Sequence, residues 1–150
     1  MNFSTIAQPS SRVGLLNNGT EESKGTPLQK EAYGLLKQAS DKGLINFVGN
    51  VESRDAMLGA VDVLVADGFS GNIMLKTIEG MGSFIGREVK AMFLQSLKTK
   101  VAALLVKSGL DSFKERLNPD AIGGVPFLGI SKPVIKAHGS SDALAFRNAV

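Results

Sequence analysis

Three short polar stretches carry the residues able to do chemistry: "NNGTEE" (17–22), "DGFSGN" (67–72) and "HGSSD" (138–142). The last holds His138, the single histidine of the chain and a side chain whose charge changes near neutral pH. At a reaction site its imidazole exchanges a proton or donates to developing negative charge. As a purely structural residue, it meets a backbone carbonyl near a strand end. In "DGFSGN", Asp67 stands at a strand end and Gly71 and Asn72 at a helix start. Glycine lets backbone approach a ligand closely, and free amides at a helix N-terminus favour an anion. Lys76 follows about one turn further on. Asp67 and Asn72 serve equally well as cap and turn residues. In "LLNNGTEESKG" (15–25), Asn17, Asn18 and Thr20 offer contacts to a substrate, and Glu21 or Glu22 a carboxylate that orients a base or a lysine. A solvated turn is the plainer reading of that segment alone.

Other chemistries are poorly served. With no cysteine, disulfides, thiolate metal sites and a cysteine nucleophile are excluded. One histidine argues against a His-rich metal site. Ser140 or Ser141 reads as a cap for the last helix, with Asp142 in its first turn. A Ser-His-Asp triad fits badly: these neighbours sit at one strand-to-helix corner, and no G-x-S-x-G elbow is present. A nucleotide-binding dehydrogenase domain is weak too, because no G-x-G-x-x-G follows the first strand.

The polar stretches are positioned by alternating elements. Short apolar strands are predicted at "RVGLL" (12–16), "INFVG" (45–49), "VDVLVAD" (61–67) and "KPVIKA" (132–137). A helix is predicted from Thr26, an N-cap followed by Pro27 at the first helical position and Gln29 completing a capping box. Gly43 supplies its C-terminal stop. Such alternation with short connections predicts an α/β domain with a mostly parallel sheet, and "VDVLVA" reads as a strand covered on both faces. Ligands of these sheets bind beyond the carboxyl ends of the strands, where the three polar stretches lie. "NPDAIGGVPFLGISKP" (118–133) reads as a Gly/Pro-rich loop with a short strand, and Gly123-Gly124 either lines a pocket or makes a turn.

The chain has 150 residues, enough for one domain with a core. The opening "MNFSTIAQPSS" lacks the features of a signal peptide, and no apolar run approaches a bilayer span, so a soluble cytoplasmic protein is expected. The net charge of +3 is unevenly placed. Between Arg87 and Arg116, seven basic residues face three acidic ones, a balance of +4 that leaves the remainder at −1. A local basic segment points to an anionic surface or partner. Within it, "MFLQSLKTKVAALLV" (92–106) aligns Leu97, Val101, Ala102 and Leu105 on one helical face. Lys98, Lys100 and Lys107 lie beside or beyond that face. An apolar stripe flanked by lysines lies in an anionic membrane interface, or packs in a core or dimer contact.

Taken together, "RVGLLNNGTEESKG", "INFVGNVESRD", "DVLVADGFSGNIMLKTIEG" and "KPVIKAHGSSDA" closely resemble the C-terminal part of the bacterial PlsX phosphate acyltransferases. The resemblance runs from about Ser11 to the C-terminus, with 1–10 as a non-matching tail. It implies a three-layer α/β/α sandwich like that of isocitrate and isopropylmalate dehydrogenases, with a mostly parallel sheet incomplete at the N-terminus. The implied activity converts acyl-[acyl carrier protein] and inorganic phosphate to acyl phosphate in phospholipid synthesis, with no cofactor or metal. The implied partners are acyl carrier protein, phosphate, a second copy in a homodimer and an anionic membrane surface on the cytoplasmic side, with no nucleic acid. The membrane reading of the 92–106 segment becomes the preferred one, through Leu97, Val101, Ala102 and Leu105.

Carried onto this chain, the resemblance places His138, Lys136 and Asn72 in catalysis. Phosphate falls at the Gly71-Asn72 turn with Lys76, and His138 with Lys136 serves the oxyanion or the leaving group. Asn17, Gly19, Thr20 and Glu21 line the opposite wall, and Asp67, Gly68, Gly139 and Ser140 complete the binding set. Family members are about twice as long, and their N-terminal half adds glycine- and asparagine-rich motifs. Here "MNFSTIAQPS" does not resemble what precedes the first matching strand, and Val150 falls inside the last helix. The chain therefore reads as a C-terminal fragment or truncated frame. The alternative function is that of a catalytically inactive remnant retaining dimer or membrane association.

Overall fold

A computed structural model describes residues 10–116, 124–127, 129–137 and 143–149. The chain divides into two compact units, residues 1–75 and 76–150.

The first unit is built on β1 (Arg12–Leu16), α1 (Pro27–Asp41), β2 (Asn46–Val51), α2 (Ser53–Met57) and β3 (Val63–Val65). The strands form one parallel sheet in the order β2-β1-β3. Leu15 lies opposite Asn50 on one side and Val65 on the other, so all three strands reach the same edge together. Val13, Leu15 and Val51 are its buried apolar side chains. Gly14 leaves room for its neighbours: a Cβ there would lie 2.6 Å from Val51 Cγ2 and 2.8 Å from Val61 Cγ1. Helix α1 is anchored to β2 by the edge-to-face pair of Tyr33 and Phe47, with centroids 5.2 Å apart, and by the Phe47 amide donating to Ser40 Oγ at 3.2 Å. At the opposite edge Arg12 grips Asp62 through Nε at 3.0 Å, Nη2 at 2.9 Å and its own amide at 2.8 Å.

The second unit holds most of α3, whose whole span is Gly68–Leu94, together with α4 (Leu97–Leu105), α5 (Lys107–Arg116), β4 (Gly124–Pro126), β5 (Ile135–Ala137) and α6 (Ala143–Ala149). Strands β4 and β5 pair antiparallel, and the Phe127 amide donates to the Val134 carbonyl at 2.8 Å to close their connection.

The α/β class and the parallel sheet agree with the sequence, while β2 ends two residues later than expected, β3 is shorter, and further details differ. The strand expected at 132–137 is shorter, Ile135–Ala137, and pairs antiparallel with Gly124–Pro126 instead of joining the parallel sheet. Helix α3 begins at Gly68, so Gly71 and Asn72 lie within its first turn and a half rather than at its start. The helical segment expected over 92–106 is two helices. Ser96 ends the continuity: its Oγ accepts from the Thr99 amide at 3.2 Å while Thr99 Oγ1 accepts from the Ser96 amide at 3.0 Å, a new N-terminus inside the apolar periodicity.

Candidate functional site

The carboxyl edge of the parallel sheet gathers two of the three polar stretches. The chain leaves β1 at Asn17, whose amide donates to the Val51 carbonyl at 3.0 Å and so continues the strand pairing by one residue. Asn17 then shapes the loop that follows. Its Nδ2 donates to the Lys24 carbonyl at 3.2 Å, and its Oδ1 accepts from the Asn18 amide at 2.9 Å. Gly25 passes directly over this carboxamide with φ +88, and a Cβ there would lie 2.8 Å from Asn17 Oδ1 and 2.8 Å from Gln29 Cβ. Both the backbone conformation and the space require glycine.

Two residues that sequence reasoning missed hold this loop. Asn50, at the end of β2, is 6% exposed. Its Nδ2 donates to the Glu21 carbonyl at 2.8 Å, while its buried Oδ1 accepts from no described residue. The strand expected from the sequence stops at Gly49 and leaves Asn50 outside it, and no local signal pairs this side chain with the Glu21 carbonyl. Tyr33 is the other. Glu22 Oε1 accepts from the Tyr33 hydroxyl at 2.9 Å and from Lys37 Nζ at 3.2 Å. The tyrosine hydrogen bond first, then the lysine, lowers the Glu22 pKa, and the shared carboxylate raises those of Tyr33 and Lys37. Glu22 thus orients a lysine, as the sequence allowed, but it is Lys37 of α1 and it fastens the loop.

Asp67 resolves toward its capping role. Its Oδ1 accepts from the amides of Phe69 at 2.9 Å and Ser70 at 2.8 Å, and the Gly71 amide donates to its carbonyl at 2.9 Å. These bonds, the one from Ser70 foremost, hold its carboxyl below the usual carboxylate range. The side chain of Asp67 thus meets the amides of Phe69 and Ser70, and its carbonyl that of Gly71. Asp67 Oδ2 in turn accepts from Gln29 Nε2 at 3.0 Å. Gln29 Oε1 accepts from the Thr26 amide at 3.1 Å and from its hydroxyl, forming the expected capping box. Gln29 therefore ties the starts of α1 and α3 together, a second role that its place in a capping box concealed.

The remaining candidates are distributed as follows. Gly19 is buried, while Thr20 and Asn72 are exposed. Glu21 reaches the loop network through its carbonyl, and Gly68 opens α3. In the second unit, Lys76 Nζ pairs with Glu79 Oε2 at 2.7 Å, and Lys136 lies exposed on β5 opposite Val125. His138, Gly139 and Ser140 fall outside the described residues. Among the described residues no group of acids or histidines has the clustering of a metal site, and no helix is long and apolar enough to cross a membrane. On α4, Leu97 is 81% exposed, Val101 57% and Leu105 82%. Their stripe is no core of the second unit, and Ala102 is exposed beside it.

Chemically, the carboxyl edge is a polar rim of amides and carboxamides with exposed hydroxyl and amide side chains on it, able to offer hydrogen bonds. Comparison with known proteins matches residues 2–150 to a family described as fatty acid synthesis protein. A phosphate acyltransferase of Brevibacillus brevis is 51% identical over 138 residues, covering 92% of this chain and 40% of the relative. One of Oceanobacillus iheyensis is 52% identical over 145 residues, with 97% and 42% covered. One of Streptococcus pneumoniae strain JJA is 53% identical over 145 residues, with 96% and 42% covered. The chain thus spans about two fifths of the length of these curated relatives.

Proposed function

The chain belongs to the fatty acid synthesis protein family, and we propose that it carries the C-terminal portion of a phosphate acyltransferase that makes acyl phosphate from acyl-[acyl carrier protein] and inorganic phosphate for phospholipid synthesis. The carrying observation is the identity of 51–53% to phosphate acyltransferases over nearly all of this chain. The complete fold in this reading is a three-layer, dehydrogenase-like sandwich, and the working form is a homodimer on the cytoplasmic face of an anionic membrane. Leu97, Val101, Ala102 and Leu105 make the membrane contact.

Phosphate is itself the nucleophile. One oxygen of hydrogen phosphate bonds to the thioester carbonyl carbon, the tetrahedral oxyanion collapses, and the carbon–sulfur bond breaks. The proton given up by phosphate ends on the carrier's phosphopantetheine thiol. The protein has to hold a dianion, orient it and stabilise the oxyanion, for which fixed dipoles suffice. Asn17, Gly19, Thr20 and Glu21 form one wall of the phosphate subsite and Gly71 and Asn72 the other, with Asp67 and Gly68 fixing that second wall and Lys76 supplying charge. His138 with Lys136 serves the oxyanion or the departing thiolate, and Gly139 and Ser140 belong to the substrate-binding set.

The test is thiol release from acyl-[acyl carrier protein] with the purified chain, which has no cysteine and so adds no thiol of its own. Release that requires phosphate is expected. A folded chain giving no phosphate-dependent thiol refutes activity of these 150 residues alone, and retained liposome binding then favours the remnant that acts by association.

A further inference from the structure

Two stretches meet at the carboxyl edge of the first unit, the end of the 17–25 loop and the start of α3, and Gln29 touches both. Its stem lies against Gly25, where an added Cβ would come 2.8 Å from Gln29 Cβ. Its Oε1 accepts from the Thr26 amide at 3.1 Å, and its Nε2 donates to Asp67 Oδ2 at 3.0 Å. Gln29 and Asp67 are both half-buried.

The chemistry of this bridge is selective. A backbone amide only donates and an ionised carboxylate only accepts, so the side chain between them must offer one acceptor and one donor. A carboxamide does so, and its two partners fix which end points which way. The capping box alone does not call for glutamine, because glutamate serves there equally well. The donor aimed at Asp67 does call for it. Asp67 is held from the other side as well, its Oδ1 accepting from the amides of Phe69 at 2.9 Å and Ser70 at 2.8 Å. One carboxylate thus joins the first turn of α3 to the first turn of α1.

We propose that Gln29 is a positioning residue for the phosphate subsite: its carboxamide holds the start of α3 against the end of the 17–25 loop and so sets the gap between the two phosphate-binding walls. Gln29 acts through Asp67 and Gly25 and does not itself touch the anion. Fixed dipoles stabilise an anion only when their spacing matches it, so slackening the bridge lowers affinity. That the anion in the gap is phosphate rests on the acyltransferase reading; the bridge does not.

Exchanging the two partners tests this role in the 150-residue chain, with inorganic phosphate as the probe and backbone amide resonances as the readout. Gln29→Glu keeps the capping box but sets two carboxylates against each other. Asp67→Asn keeps the helix cap, where asparagine ranks with aspartate, but sets two amide donors against each other. The double variant restores both the hydrogen bond, now donated from position 67 to position 29, and the net charge. Each single variant is expected to bind phosphate about tenfold more weakly, as for the loss of one hydrogen bond to a charged group. The double variant is expected to bind nearly as tightly as the parent.

A long-range charge effect has a different signature. Gln29→Glu adds a negative charge and would weaken binding, whereas Asp67→Asn removes one and would tighten it. That pattern overturns the proposal, as does a double variant no better than the weaker single one. Loss of stability in urea with phosphate affinity unchanged also overturns it, leaving the bridge a structural contact. Phosphate shifts that the exchange does not alter remove the role of Gln29 and leave the subsite standing; no saturable shift in the parent removes both. A chain that binds phosphate and follows the exchange, yet releases no thiol, keeps the role and loses the acyltransferase reading.

Discussion

Replacing Gly25 by alanine tests how the polar rim is assembled. Two costs apply, and Gly43 separates them. Gly43 ends α1 with φ +69, and a Cβ there would meet nothing within 4 Å. Alanine at Gly43 therefore incurs only the left-handed backbone cost, about 1–2 kcal/mol, less about 0.4–1 kcal/mol from a stiffer unfolded chain. The net loss is about 1 kcal/mol. Gly25 carries the same backbone cost at φ +88, and its Cβ would in addition lie 2.8 Å from Asn17 Oδ1 and Gln29 Cβ and 2.9 Å from Asn17 Nδ2. Relieving that overlap costs about 1–3 kcal/mol more, for a total of about 2–4 kcal/mol. The assay is urea unfolding of both variants beside the parent, read as midpoint shifts at a common slope. Gly25→Ala is expected to lose clearly more than Gly43→Ala. Equal shifts would mean that Asn17 and Gln29 do not pack against Gly25, and the rim would have to be redrawn.

Two further outcomes are expected away from the rim. Arg12 lowers the Asp62 pKa from 3.8 to about 2, so this pair stabilises the fold fully above pH 3.8 and loses its effect as pH falls toward about 2. The stability gap between the parent and Asp62→Asn should close over that window, and a gap independent of pH contradicts the pairing. On α4, Leu97→Glu with Leu105→Glu changes two side chains that are 81% and 82% exposed. It should abolish binding to anionic liposomes while leaving unfolding unchanged, and retained binding would place the membrane contact elsewhere.

What was readable in the sequence follows from how local each signal is. Thr26, Pro27, Gln29 and Gly43 bracket α1 because caps and stops act within one turn, and the helix runs Pro27–Asp41. "RVGLL" is β1 in full, its apolar run being uninterrupted. Asn50 was illegible because its role depends on a loop 29 residues away in sequence. Asp67 was readable as a cap or as a ligand, and its bonds to the amides of Phe69 and Ser70 show the cap. The break at Ser96 was hidden by an apolar period that continues through it on both sides. Likewise the Leu97, Val101 and Leu105 stripe was legible as a stripe, while its exposure depends on which faces α3 and α5 cover.

The central claim, that phosphate is held by the polar rim at the carboxyl ends of β1, β2 and β3, is tested most directly by titrating phosphate into the isotopically labelled chain and following backbone amide resonances. Saturable shifts are expected at 17–24, at Asn50 and at 67–72, weakened by Asn17→Ala and by Asn72→Ala. Shifts confined to other residues, or none at phosphate concentrations that saturate a phosphate acyltransferase, would contradict the account.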